Sequence, residues 1–173
     1  MNFNLKKSIE ILERTPAVLD TLLRNISEDW TTNNEGEQTW NVHEVVAHLI
    51  YGEKTDWMVR AEIIFSTNAD KRFESYNVAM QFKDSKGKSL AQLLDEFKIL
   101  RQKNLHDLQS KNITAKNLEQ KGIHPAFGEV TLAELLSTWV VHDLNHINQV
   151  SRIMASQYRE AVGPWIGYLG VLK

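Results

Sequence analysis

The sequence predicts an all-α protein, a four-helix bundle, on three observations. Only 3 prolines and 8 glycines punctuate its 173 residues. Four long windows repeat apolar residues at the three-to-four spacing of one helix face. No stretch sustains the period-2 alternation of a half-buried strand, and no internal repeat or coiled-coil seam occurs. A chain of this length fits one domain with its own core, so residues 1–173 are read as a single unit.

The first helix is expected over residues 4–26, where Ile9, Leu12, Leu19, Leu22, Leu23 and Ile26 suit one stripe. Thr15-Pro16 interrupts it. Proline lacks the helical donor, so a kink or a restart with Pro16 in the first turn is expected. The polar run 31–39, TTNNEGEQT, reads as a loop. Asn41 followed by Glu44 is a capping-box signal, and the second helix it opens should run to residue 65. Gly52 inside that helix costs stability and marks a point of close packing. Residues 66–88 lose the pattern, with KDSKGKS as a flexible connection.

Ser89 caps a third helix reaching residue 109, with Leu90, Leu93, Leu94, Phe97, Leu100, Leu105 and Leu108 facing inward. Residues 111–130 are irregular and contain GIHPAFGEV. Thr131 and Glu134 form another capping box, opening a fourth helix to residue 158. The tail AVGPWIGYLGVLK combines turn signals with Trp165, Tyr168 and Leu169, which are expected to pack back onto the bundle. The long connections after the second and third helices leave room for a crossover topology or a lid over a site.

Composition narrows the function. Twenty basic against 22 acidic side chains leave a formal charge of -2. That balance disfavours nucleic acid and anionic membrane surfaces as partners, since both are bound through a surplus of Lys and Arg. With no cysteine, the chain cannot form disulfides, Cys-ligated zinc sites, iron–sulfur clusters or a thiol nucleophile of its own. A cytoplasmic setting suits that usage. The N-terminal run MNFNLKKSIEILERT mixes charge with apolar residues and does not read as a signal peptide. No stretch approaches the roughly 20 apolar residues of a membrane span.

The chemistry concentrates in WVVHDLNHINQV, where His142 and His146 lie one helical turn apart. Two imidazoles so placed can ligate one divalent ion, although the spacing alone is weak evidence. Trp139, His142, His146, Gln149 and Ile153 share a stripe that should face the interior, where unpaired imidazoles are costly. His48, between Val45, Leu49 and Gly52, likewise interrupts an apolar face and is the best third ligand. The competing reading makes each a core histidine satisfied by a hydrogen bond. Asp143 and Gln149 can orient ligands, with Asp143 alternatively a buried anchor. His124, on a loop before the last helix, is a candidate substrate contact or proton shuttle. His43 reads as exposed or capping, and His106 as surface.

Other chemistries fit worse. H-D-L-N-H carries Asp143 where a zincin has glutamate, no Glu-x-x-His occurs for a di-metal carboxylate site, and no serine elbow or phosphate-binding glycine pattern is present.

At these residues the sequence resembles the DinB-like superfamily of metal-binding four-helix bundles, over nearly its whole length. The carriers are W-x-x-x-E-x-x-x-H at Trp40, Glu44 and His48, H-D-x-x-H-x-x-Q at His142, Asp143, His146 and Gln149, and the GPWIGYL tail. The resemblance implies a bundle with crossover connections and a three-histidine site, His48, His142 and His146, holding zinc, nickel or a similar divalent ion. It further implies an enzyme acting on a small molecule, either a hydrolase or a transferase using a low-molecular-weight thiol such as bacillithiol or mycothiol. Homodimers are common among similar proteins. A noncatalytic helical module for binding or dimerisation in a stress response is the alternative.

Overall fold

The computed structural model describes residues 3–77 and 80–173. Four long helices carry the fold: α1 (Leu5–Leu23), α3 (Val42–Thr55), α5 (Leu90–Ser110) and α7 (Leu132–Ser156). Shorter elements lie between them: α2 (Asp29–Thr32), α4 (Trp57–Phe65), α6 (Ala115–Leu118), β1 (Lys121–His124) and β2 (Gly128–Thr131). The starts follow the sequence signals. Asn41, Ser89 and Thr131 each accept from the backbone N–H three residues on, and Glu44, Gln92 and Glu134 reach back to complete the boxes.

α1 packs on α5 and α7, and α3 packs on the same two helices. Two apolar clusters reveal the directions. One gathers Leu12, Trp57, Leu105 and Trp139; the other gathers Leu19, Val45, Phe97 and Val150. α1 and α7 run from the first cluster to the second, whereas α3 and α5 run from the second to the first. The parallel pair α3 and α5 therefore requires the long crossover through residues 66–89, and the bundle has the expected crossover topology.

Between the clusters lies a polar layer. Glu53, Arg101, Asn104, Asp143 and His146 are all buried at this level. Arg101 donates from Nε and Nη2 to Glu53 Oε1, from Nη1 and Nη2 to the two Asp143 oxygens, and from Nη1 to the Leu12 carbonyl at 2.8 Å. Glu53 also accepts from Trp139 Nε1 and Asn104 Nδ2.

Three expectations are corrected, in the second helix, the irregular region and the tail. Of the two outcomes expected at Pro16 the restart does not occur, and α1 passes through it as one helix. A residue at position 16 with an N–H would bond the Leu12 carbonyl; here that carbonyl is instead taken by Arg101. The second helix is broken at Asp56, whose φ of -109° and ψ of -76° separate α3 from α4. The break lets Trp57 fold over Gly52, where an added Cβ would stand 3.2 Å from the indole Nε1.

The region read as irregular contains a hairpin, with His124 opposite Gly128 and Gly128 at φ +74°. Arg72 extends it by a parallel bridge to Ile123. Strands of four residues are too short to display a period, and Gly122 is needed because a Cβ there would meet the Phe73 ring at 2.3 Å. In the tail, Leu172 is buried while Trp165 and Tyr168 remain 68% and 85% exposed. The tail forms 3₁₀ turns, Gly163–Tyr168 and Gly170–Leu172. Their three-residue repeat turns Ile166, Leu169 and Leu172 toward the bundle in place of the two aromatics.

No described helix is long and apolar enough to cross a membrane. Arg101→Met should destabilise the protein by about 3–5 kcal/mol, because it strands two buried carboxylates. Urea denaturation measures this, and adding Asp143→Asn to that variant should recover part of the loss.

Candidate metal centre

α3 and α7 meet side by side in opposite directions, and the imidazoles project where they meet. His142 Nε2 lies 2.9 Å from His48 Nε2 and 3.2 Å from His146 Nε2. One ring nitrogen from each residue falls within 4.8 Å of the other two. Trp40, the residue before the α3 cap, lies over His48 with centroids 4.8 Å apart and stacks on His146 at 6.3 Å. Trp57 meets His142 edge-on at 5.0 Å. These indoles keep bulk water from two sides of the cluster.

Each ring has a second nitrogen. His146 Nδ1 is 2.7 Å from Gln149 Oε1. His48 Nδ1 is 3.0 Å from Gln81 Oε1 and 2.8 Å from the Tyr76 hydroxyl. His142 Nδ1 is buried without a partner.

Burial pushes His48 down from its ordinary 6.5 to about 4, and the neighbouring His146 adds to the shift. Burial takes His142 down to about 2, reinforced by His146 and His48. His146 is lowered as well, again by burial first. All three rings are therefore neutral near pH 7 and offer lone pairs.

Neutral imidazole has one N–H. His146 gives its one hydrogen from Nδ1 to Gln149 Oε1 and so presents a bare Nε2. His142 Nε2 has a single hydrogen or a single lone pair to share between two neighbours, so one of the two contacts is left without a hydrogen bond. A divalent ion relieves that conflict. At roughly 2.0–2.1 Å from each nitrogen, it would hold two of them about 2.9–3.4 Å apart over ordinary coordination angles. The spacing fits, and an all-imidazole donor set suits zinc, nickel or another transition metal better than calcium or magnesium. An open surface depression of about 460 Å³ is lined by Ser137, Thr138, Val141, His142 and Asn145 on one face of α7.

Of the residues singled out by sequence, His48, His142, His146 and Gln149 come together here. Two others do not. Asp143, expected either to act in the site or to be a buried anchor, has the second arrangement: it is fully buried with both oxygens on Arg101, because the next helical position points 100° away from His142. His124, expected near the site mouth, stays in the hairpin. Its Nδ1 accepts from the Ala126 N–H and its ring stacks on Phe127 at 4.4 Å. His43 is half-buried beside the Thr31 carbonyl, and His106 is exposed on α5. Tyr76 and Gln81 were not anticipated, since the segment carrying them has no helical or strand period to mark an inward face.

The family model of the DinB superfamily matches residues 11–150. The solved structure of YfiT from Bacillus subtilis, described as a probable metal-dependent hydrolase with an unusual four-helix bundle topology, aligns with a TM-score of 0.72. That alignment covers 90% of this chain and 87% of YfiT at 20% identity. TT2238, a four-helix bundle protein, aligns with a TM-score of 0.55 over 83% of this chain and 95% of its own, at 19% identity. At these identities the likeness establishes the fold. No curated protein matches the sequence.

The depressed histidines carry a pH signature. The unfolded chain takes up protons near the ordinary value of 6.5, whereas folded His48 resists until about 4. Stability in the presence of a chelator is therefore full above pH 6.5 and falls as the pH drops through that window. Urea midpoints between pH 7.5 and 4 should show the decline, and His48→Gln should make it shallower.

Proposed function

We propose that this chain, which belongs to the DinB superfamily, holds a divalent ion on His48, His142 and His146 and acts as a metal-dependent hydrolase on a small molecule. The observation that carries the reading is the convergence of three neutral Nε2 atoms at 2.9 and 3.2 Å. Hydrolysis is favoured over other chemistries by the description of YfiT, whose fold this chain shares. Zinc and nickel are the leading ions for such a donor set.

A bound ion there supplies a Lewis acid that makes water, or a thiol cosubstrate, nucleophilic near neutral pH. The chain's own residues do the rest. Gln149 braces His146 from behind, and the Trp40 and Trp57 indoles keep the ligand nitrogens desolvated. The surface depression at His142 is the candidate approach for substrate, and its other lining residues, Ser137, Thr138, Val141 and Asn145, carry no charge. Tyr76 does not serve as the nucleophile. Burial first, then the nearby Asp56, raises its pKa and keeps the phenol protonated. In this reading water, or a thiol cosubstrate, supplies the attacking group.

Protein prepared without a nickel column should retain close to one zinc or nickel per chain by plasma mass spectrometry. His146→Ala should weaken binding of added Zn²⁺ by at least ~100-fold, the loss of one ligand of three. A wild type that binds neither ion better than the variant sinks the proposal. Assays of the loaded protein on neutral esters and amides, with and without an added thiol and electrophile, then separate hydrolysis from thiol transfer.

A further inference from the structure

Three atoms close a triangle behind His48. Its Nδ1 lies 2.8 Å from the Tyr76 oxygen and 3.0 Å from Gln81 Oε1, and those two oxygens are 2.8 Å apart. A carboxamide oxygen only accepts, a phenol has one hydrogen, and a neutral imidazole has one hydrogen shared between two possible nitrogens.

Consider the imidazole hydrogen on Nδ1. The ring then donates to the two oxygens, and the phenol donates to Gln81 Oε1, so each edge of the triangle contains a hydrogen. Because Gln81 meets both groups through Oε1 while its Nε2 bonds neither, a hydrogen on His48 Nε2 instead leaves the phenol hydrogen to serve all three edges. Two of them become acceptor against acceptor at hydrogen-bond distance. Gln81 is only 2% exposed, so water does not screen that repulsion.

We propose that Tyr76 and Gln81 are positioning residues that hold His48 as the Nδ1–H tautomer. They thereby commit the Nε2 lone pair to the three-histidine cluster before any ion arrives. Both belong to the crossover between α4 and α5, so that connection is a working part of the centre. His146 is braced from its own helix by Gln149, whereas His48 has no such neighbour on α3 and takes its brace from this segment. The purpose assigned to the tautomer rests on the metal reading above; the tautomer itself is a property of the protein alone.

The test uses the full chain labelled with ¹⁵N-histidine, in chelator. Long-range ¹H–¹⁵N spectra should show the His48 hydrogen on Nδ1 and a bare Nε2. Tyr76→Phe and Gln81→Ala should each shift His48 toward a tautomer mixture. In competition against a chromophoric chelator they should also weaken Zn²⁺ binding about 10–100-fold. Gln81→Glu, which keeps an acceptor at that place, should restore near wild-type affinity. Unchanged His146 signals show that a variant has kept the bundle intact. A wild-type His48 bearing its hydrogen on Nε2 overturns the proposal, as does wild-type Zn²⁺ affinity in both Tyr76→Phe and Gln81→Ala. If the wild type shows the Nδ1–H form and binds no Zn²⁺, the tautomer assignment is upheld and the metal reading fails.

Discussion

Arg101 has five N–H donors, and each finds an acceptor inside the bundle: the Leu12 carbonyl on α1, Glu53 Oε1 on α3 twice, and both Asp143 oxygens on α7. A guanidinium taken out of water loses several kcal/mol of hydration, and only a complete set of partners offsets that. Burial alone would lower the Arg101 pKa, but the Glu53 and Asp143 carboxylates outweigh it and hold the group charged. This arrangement of the four helices satisfies all five donors. Glu53 is five residues beyond His48 and Asp143 directly follows His142, so this ion pair sets α3 against α7 at the level where the imidazoles meet.

The centre inherits its character from that level. The layer is roofed and floored by apolar clusters, so the histidines are desolvated enough to stay neutral, while His142 also lines an open depression on the outer face of α7. Neutral, converging imidazoles are expensive to hold together. The rigidity that bears this cost comes from neighbours rather than from the histidines themselves: the Arg101 network, the stack of Trp57 on Trp139 at 5.8 Å, and Trp40 against His48 and His146. A site built this way has its side chains held by their neighbours rather than by a ligand.

Much of this was legible in the sequence. The capping boxes at Asn41 and Thr131 and the cap at Ser89 located three helix starts, because each is a local exchange of hydrogen bonds between residues three apart. The histidines stood out as polar breaks in apolar stripes. Arg101 is the same kind of break, set between Phe97 and Leu105 on the inward face of α5, and Glu53 another between Leu49 and Trp57. Both were readable signals that a list of metal ligands passes over. The hairpin, the break at Asp56 and the Tyr76–Gln81 brace were not readable. Each depends on a partner distant in the chain, such as Phe73 against Gly122 or His48 against Gln81, which local periodicity does not encode.

Pro16 looks, in isolation, like damage to a helix. In the folded chain the carbonyl it leaves unclaimed at Leu12 becomes the fifth acceptor for a guanidinium 89 residues away. Proline here removes a competitor: any other residue at position 16 would bring an N–H aimed at the same oxygen. Pro16 and Arg101 are thus matched across the bundle, a missing donor in one helix and a buried donor from another meeting at a single carbonyl.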